Sequence, residues 1–178
     1  KAENKFGIEF DYIKSMYAIA SELPNVNIIG ISVHIGSQIT NLKPFKKAFQ
    51  IIYDLINDLR SLGHKIKHVD LGGGLGVTYS DDDNVPTFKE YASLIQSIFG
   101  NLNIEVYIEP GRLLVANSGL LVTRVVDIKT TSQKTFVIVD AAMNDFIRPT
   151  LYNSYHEILP VKNNLGTSNK LYDIVGPI

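Results

Sequence analysis

The sequence predicts an α/β fold in which a parallel sheet covered by helices gives way to a β-rich segment. Three observations carry that expectation. Short apolar runs at residues 27–33 (NIIGISV), 65–71 (KIKHVDL) and 103–109 (NIEVYIE) place Ile28, Ile66 and Ile104 at equivalent points, 38 residues apart each time. Amphipathic helical stretches fill the gaps between them, and buried strands separated by helices pair in parallel. After Arg112 the alternation stops, and two longer apolar runs follow with only a polar turn between them.

Each element has its own signal. Residues 11–23 read as a first helix. The stretch PFKKAFQIIYDLINDLRSLG, residues 44–63, opens with Pro44, which suits a first helical position, and closes on Gly63, which suits a C-terminal cap. Within it Phe45, Phe49, Ile52, Leu55, Ile56 and Leu59 form one apolar stripe at spacings of three and four. The next helix begins at a capping box, Thr87-x-x-Glu90, and carries Phe88, Tyr91, Leu94, Ile95 and Ile98. Residues 113–129 and 134–143 predict an antiparallel pair turned at residues 130–134. A domain boundary is expected within residues 113–118, with residues 1–112 in the first domain and 113–178 beginning the second. The run Asp81-Asp82-Asp83-Asn84 reads as a solvated loop.

Composition narrows the function classes. With 178 residues, 45% of them hydrophobic, the chain can bury a sizeable core. A formal net charge of −1 leaves no basic footprint for nucleic acid or an acidic membrane surface. Cysteine is absent, which removes disulfides and zinc–thiolate sites, and no metal site is expected. No apolar run is long enough to span a bilayer and the N-terminus has no signal-peptide pattern, so the expected compartment is cytoplasmic. The chain starts at Lys1 without a Met and stops in an apolar run, YDIVGPI, so it reads as a piece of a longer polypeptide.

In parallel α/β folds, ligands bind at the C-terminal ends of the strands. Here the three strands end in HIGSQI (residues 34–39), in Gly72-Gly73-Gly74, and in EPGR (residues 109–112), all on one rim of one sheet. The triple glycine fails the dinucleotide spacing, because the last position counted from Gly72 is Val77, and fails the phosphate-loop spacing, because no Lys follows. It is most simply a turn; otherwise it is a nest of free N–H groups able to wrap one phosphate. His34 alone reads as a structural histidine, but at a strand end before Gly36 and Ser37 it also offers a flat ring and a hydroxyl to a planar ligand. Glu109 either pairs with Arg112 or keeps a ring nitrogen protonated. Pro110 fixes the turn after it, and Gly111 exposes a further N–H. A phosphate cradle, a stacking ring and an acid facing a heteroaromatic nitrogen describe a site for pyridoxal phosphate, and the shared rim favours it.

At these motifs the chain resembles the fold type III, alanine racemase-like decarboxylases that use pyridoxal phosphate, and within them it is most similar to the diaminopimelate decarboxylases. KFGI (residues 5–8), HIGSQI, DLGGGLGV (70–77), EPGRLLVANSG (109–119) and DAAMNDFIRPTLY (140–152) follow one another in that family's order and spacing. The last is the most specific, since ornithine-type relatives share versions of the glycine and EPGR motifs. The resemblance implies part of a (β/α)8 TIM-like barrel followed by the start of a β-rich C-terminal domain. By position it implies that His34 stacks on the cofactor ring with Ser37 nearby. Gly72, Gly73, Gly74 and the backbone of Gly111 and Arg112, next to Pro110, correspond to the phosphate cradle, and Glu109 to the partner of the pyridine nitrogen. Arg112, Arg148 and Tyr152 correspond to residues that bind the distal end of the substrate. One helical turn would put Arg148 and Tyr152 on one face, suited to a carboxylate held by a guanidinium fork and a phenol. The implied substrate is meso-diaminopimelate, which loses CO2 from its D-configured centre to give L-lysine, the last step of lysine biosynthesis, in a homodimer.

The same resemblance implies what the chain does not carry. The family's Schiff-base lysine lies upstream of Lys1, and Lys5, within KFGI, is no substitute. The cysteine motif expected after DIVGP and a later tyrosine near the phosphate fall beyond Ile178. No catalytic residue is therefore expected here, and the chain alone is expected to be inactive, with open sheet edges that invite association. Two other readings stay open: a fold type III decarboxylase acting on ornithine or carboxynorspermidine, and a non-catalytic cofactor-binding or assembly module.

Overall fold

In the computed structural model, which describes residues 5–80, 83–162 and 170–177, three parallel strands organise the first of two units, Lys1–Val77 with Asn84–Ala116. Strands β1 (Gly30–Ser32), β2 (His68–Asp70) and β3 (Glu105–Tyr107) pair in that order. Gly30 lies opposite His68, an offset of 38 residues, and His68 lies opposite Glu105, an offset of 37. The repeat therefore holds from β1 to β2, while Ile104 falls one residue out of step with Ile28 and Ile66. The strands are also shorter than their apolar runs, and burial is uneven. Val69 in the middle strand is fully buried, whereas β3 is exposed along its length. Among the described residues no strand pairs beyond β3.

A 3-10 turn (Phe10–Tyr12) leads into α1 (Ile13–Ser21), and the Tyr17 hydroxyl donates to the Gly30 carbonyl at 2.7 Å, tying that helix to β1. Helix α2 spans Leu42–Ser61 and begins two residues before Pro44. Asn41 sets its start, the side-chain oxygen accepting from the Lys43 N–H at 2.8 Å. Pro44 lies in the first turn, where a missing N–H loses no helical bond. Gly63 follows at φ +93°, and the Gly63 and His64 amides close back on the Arg60 and Leu59 carbonyls in a Schellman ending. Helix α3 (Phe88–Phe99) starts at the expected capping box: the Glu90 N–H donates to Thr87 Oγ1 at 3.2 Å and the Thr87 N–H donates to Glu90 Oε2 at 2.8 Å. The Thr87 amide, followed by its hydroxyl, holds the Glu90 carboxyl below its usual range.

The α2 stripe is buried in full and packs with Ile66, Val69, Leu71 and Leu75 from the sheet side and with Tyr91, Ile98 and Phe99 from α3. Phe49 is its hub, with ring centroids 5.7, 6.1 and 5.9 Å from those of Phe45, Tyr91 and Phe99. Phe88, expected on the apolar face of α3, is 67% exposed, and Phe99 is buried instead. Helical side chains tilt toward the N-terminus, so at the first helical position Phe88 has no preceding turn of α3 to cover.

Beyond the strands the backbones run in contact, and glycine is what lets them. Gly72 and Gly74 have φ of +64° and +105°. A Cβ on Gly72 would lie 2.5 Å from the Val33 carbonyl oxygen; on Gly73 it would fall on the Glu109 carbonyl, and on Gly74 on the Gly36 carbonyl. Hydrogen bonds close the segments further. Ile39 N–H donates to the Gly74 carbonyl at 2.9 Å, Gly76 N–H to Ile39 at 3.1 Å, and Glu109 N–H to Gly72 at 2.8 Å.

The second unit, Thr78–Asp83 with Asn117–Ile178, holds strands β4 (Val125–Thr130), β5 (Thr135–Val139) and β6 (Asp173–Val175). β4 and β5 are antiparallel, as the sequence predicts, and β6 adds in parallel to β5, which it does not. The first of the two predicted runs is interrupted at its start, where Gly111 precedes a short helix, α4 (Arg112–Val115), that belongs to the first unit. The second ends early because Ala142 N–H donates to Asp145 Oδ2 at 2.9 Å and turns the chain toward α5 (Arg148–Tyr152). Asp83 is more than solvated. Its carboxylate accepts the Tyr79 and Ser80 amides at 2.8 and 3.0 Å, and those bonds, Tyr79 first, hold it below the usual range. Asp81 and Asp82 lie outside the described residues. Among the described residues no helix is long and apolar enough to cross a membrane.

Two contrasts test this packing. In urea unfolding, Phe49→Ala is expected to cost about 3–5 kcal/mol and Phe88→Ala less than about 0.5 kcal/mol. Gly73→Ala sets a methyl group against a backbone carbonyl and is expected to lower the thermal midpoint by about 5 °C or more. Gly111→Ala, whose Cβ meets nothing within 4 Å, should leave it unchanged.

Candidate cofactor site

The first strand delivers His34 to the rim with an exposed ring whose Nδ1 accepts the Gly73 N–H at 3.3 Å. An accepting Nδ1 puts the ring's proton on Nε2 and fixes the ring's rotation against the glycine loop. Gly36 at φ +137° and Gln38 at φ +55° then turn the chain around Ser37, which is exposed.

The glycine loop is less open than a nest of three free amides. Gly72 N–H donates to Asp70 Oδ1 at 2.8 Å, and Gly73 N–H is taken by His34. Both amides are thus engaged within the rim, and Asp70, two residues before Gly72, makes an Asx turn. The amides of Gly74, Gly111 and Arg112 carry no hydrogen bond to another described residue. Gly111 adjoins the loop, since a Cβ on Gly73 would lie 3.9 Å from the Gly111 nitrogen, and the space over Gly111 itself is open. These donors are able to hold an anion.

Glu109, before Pro110, has its backbone clamped against Gly72 and Gly73, while its carboxylate is exposed. It forms no ion pair among the described residues, so the pairing with Arg112 that the sequence allows is not made. Glu105, four residues earlier, is the contrast. Its Oε2 accepts the Tyr107 hydroxyl at 2.8 Å and lies 3.3 Å from His68 Nδ1. That bond raises the Tyr107 phenol above its ordinary value. Glu109 alone of the two is left to meet a cationic ring nitrogen.

Arg148 and Tyr152 belong to the second unit. They are the two ends of α5, with the Arg148 guanidinium carbon 5.6 Å from the Tyr152 ring centroid. Asp140 anchors the segment leading to them, its Oδ1 accepting the Thr123 hydroxyl at 2.6 Å and the Arg124 N–H at 2.8 Å. The Arg124 amide, then the Thr123 hydroxyl, hold that carboxyl below its ordinary range. Beyond α5, His156 packs edge-on to Phe146 and Tyr79, with centroids 4.5 and 5.6 Å away. Sequence reasoning missed Asp70, Gln38 and this ring group. Only Asp70 had a local signal, an acid two residues ahead of a glycine.

Amide donors, an exposed imidazole and an unpaired carboxylate suit a planar, phosphorylated heteroaromatic ring. Comparison with known proteins agrees. Residues 1–116 match the family described as pyridoxal-dependent decarboxylase, pyridoxal binding domain, which implies pyridoxal phosphate as cofactor. The chain is 46% identical over 179 residues to the diaminopimelate decarboxylase of Zymomonas mobilis, covering 100% of this chain and 42% of that protein. To the diaminopimelate decarboxylase of Vibrio cholerae it is 45% identical over 177 residues, covering 99% of this chain and 42% of that protein. In three dimensions it is similar to diaminopimelate decarboxylase from Helicobacter pylori complexed with L-lysine, with a TM-score of 0.89 and 36% identity, over 99% of this chain and 43% of that one. The chain thus spans 42% of the length of the curated relatives it matches. With this rim lying inside the matched residues, the chain belongs to the pyridoxal-dependent decarboxylases, and its first unit is part of their pyridoxal-binding domain.

Proposed function

We propose that this chain is part of a diaminopimelate decarboxylase, supplying the cofactor rim and part of the substrate site for loss of CO2 from the D-configured centre of meso-diaminopimelate to give L-lysine. The observation that carries the reading is the backbone contact among three strand ends, which puts His34, the glycine loop and Glu109 within one small region. The substrate rests on the relatives, which share that activity's name across this chain's whole length.

In this reading the Gly74, Gly111 and Arg112 amides, with the Ser37 hydroxyl, hold the phosphate. Gly72 and Gly73 bring the loop close, and Pro110 fixes the turn that presents Gly111. His34 covers one face of the ring. Pyridoxal phosphate, when bound, supplies an electron sink for the pair left on the substrate carbon as the carboxylate departs. Glu109 favours a proton on the ring nitrogen and so strengthens that sink. Arg112, Arg148 and Tyr152 hold the distal end of the substrate, the guanidinium and phenol suiting a carboxylate. The lysine that bears the cofactor and the cysteine motif lie outside this chain, which alone does not turn over. The parent enzyme is a cytoplasmic homodimer in this account. An exposed β4 and a 95% exposed Leu120 support further association of the second unit.

The chain incubated with pyridoxal phosphate, gel-filtered and reduced with borohydride is expected to show no single-lysine adduct by mass spectrometry. A stoichiometric adduct on one lysine would contradict the proposed division of residues. In the complete parent enzyme, Glu109→Gln is expected to lower kcat on the order of 10²-fold. There Arg148→Ala should raise KM for meso-diaminopimelate about tenfold or more. Equal turnover of ornithine by that enzyme would overturn the substrate assignment.

A further inference from the structure

Gln38 is the one member of the strand-end segments whose side chain binds both backbone groups of a distant residue. Its Nε2 donates to the Val77 carbonyl at 2.6 Å, and its Oε1 accepts the Val77 N–H at 3.2 Å. Val77 is buried and Gln38 half-buried, so water has poor access to replace either bond. Gln38 also sits at φ +55°, a left-handed conformation that a residue with a Cβ adopts only when its surroundings hold it there.

This clamp continues into the rim without a gap. The next residue, Ile39, donates to the Gly74 carbonyl and accepts from Gly76, and Ile39 and Leu75 form a parallel bridge. On the other side of Gln38, the Gly36 carbonyl abuts Gly74, and His34 takes the Gly73 amide. Residues 34–39 are thus zipped to residues 73–77, with the Gln38–Val77 pair at the outer end. The chemistry requires glutamine. Asparagine is a methylene too short, methionine has the length but no polar pair, and glutamate sets a second acceptor against the Val77 carbonyl.

We propose that Gln38 is a positioning residue of the cofactor site, latching residues 34–39 to the glycine loop and so fixing the His34 ring, the Ser37 hydroxyl and the Gly74 amide for a phosphorylated ligand. The proposal rests on the cofactor reading above for its ligand, but the latch itself can be tested without one.

Amide hydrogen exchange is compared for the chain and its Gln38→Ala, Gln38→Met and Gln38→Glu variants, alongside titration with pyridoxal phosphate and with pyridoxal. In Q38A and Q38M, protection is expected to fall about tenfold or more at Val77 and also at Gly73, Ile39 and Gly76, whose partners are other residues, while the α2–α3 core keeps its protection. Affinity for pyridoxal phosphate should fall about tenfold and that for pyridoxal by less, because the displaced Ser37 hydroxyl and Gly74 amide serve the phosphate while the His34 ring serves both ligands. Q38E should behave as Q38A at pH 8 and recover protection as the pH falls toward the usual glutamate value of about 4.3, where a protonated acid can again donate to Val77. Exchange changes confined to Val77, loss of protection through the core, or unchanged pyridoxal phosphate affinity in Q38A would each overturn the proposal. A wild-type chain that takes up no pyridoxal phosphate would instead defeat the cofactor reading, and the exchange pattern would still decide the latch.

Discussion

Where β1, β2 and β3 end, their continuing backbones come so close that any side chain on Gly72, Gly73 or Gly74 would occupy the place of a neighbouring carbonyl. The rim depends on that contact. It brings His34 onto the Gly73 amide, clamps the Glu109 backbone to Gly72, and leaves only a few amides facing outward. Three bare residues in a row therefore serve backbone packing between strand ends first. Room for a ligand is a consequence of it.

Behind the rim, polar and apolar duties are separated. No charged side chain among the described residues is buried, and the core is an aromatic and aliphatic block between α2, α3 and the sheet. Arg60 shows how the block is closed at the opposite end: its guanidinium donates to the carbonyls of Ile66 and Asn103, just ahead of β2 and β3. Strand starts are thus tied by one side chain and strand ends by glycine contacts. β3 and the segment that follows it present two glutamates of different standing, Glu105 occupied by Tyr107 and His68, and Glu109 with no such partner among the described residues. A carboxylate held in place but left unpaired is what a charged ligand requires.

Much of this was legible in the sequence because it is local. The α2 stripe, the Thr87–Glu90 capping box, Gly63 after α2 and the β4–β5 pair all follow from spacing within one segment. The 38-residue repeat read the β1–β2 register correctly, but the β2–β3 offset is one residue shorter, because nothing in a single apolar run marks which residue faces which. β6 went unseen because three residues pairing in parallel with a strand far back in the chain leave no periodic trace. Side chains that bind a remote backbone are hidden for the same reason. Gln38 finds Val77 39 residues away, and His34 finds Gly73 across the same distance. The family motifs located the rim, but the sequence could not say which glycine amides were already taken.

The most direct test of the account is an amide chemical-shift titration of the chain with pyridoxal phosphate. Perturbations concentrated at His34, Ser37, Gly74, Gly111 and Arg112 are predicted, with the α2–α3 core unmoved. Perturbations centred instead on the apolar groove where Ile8, Met16 and Tyr17 meet Ile29 and Ile31 would contradict it. In that case the joined strand ends would be packing alone.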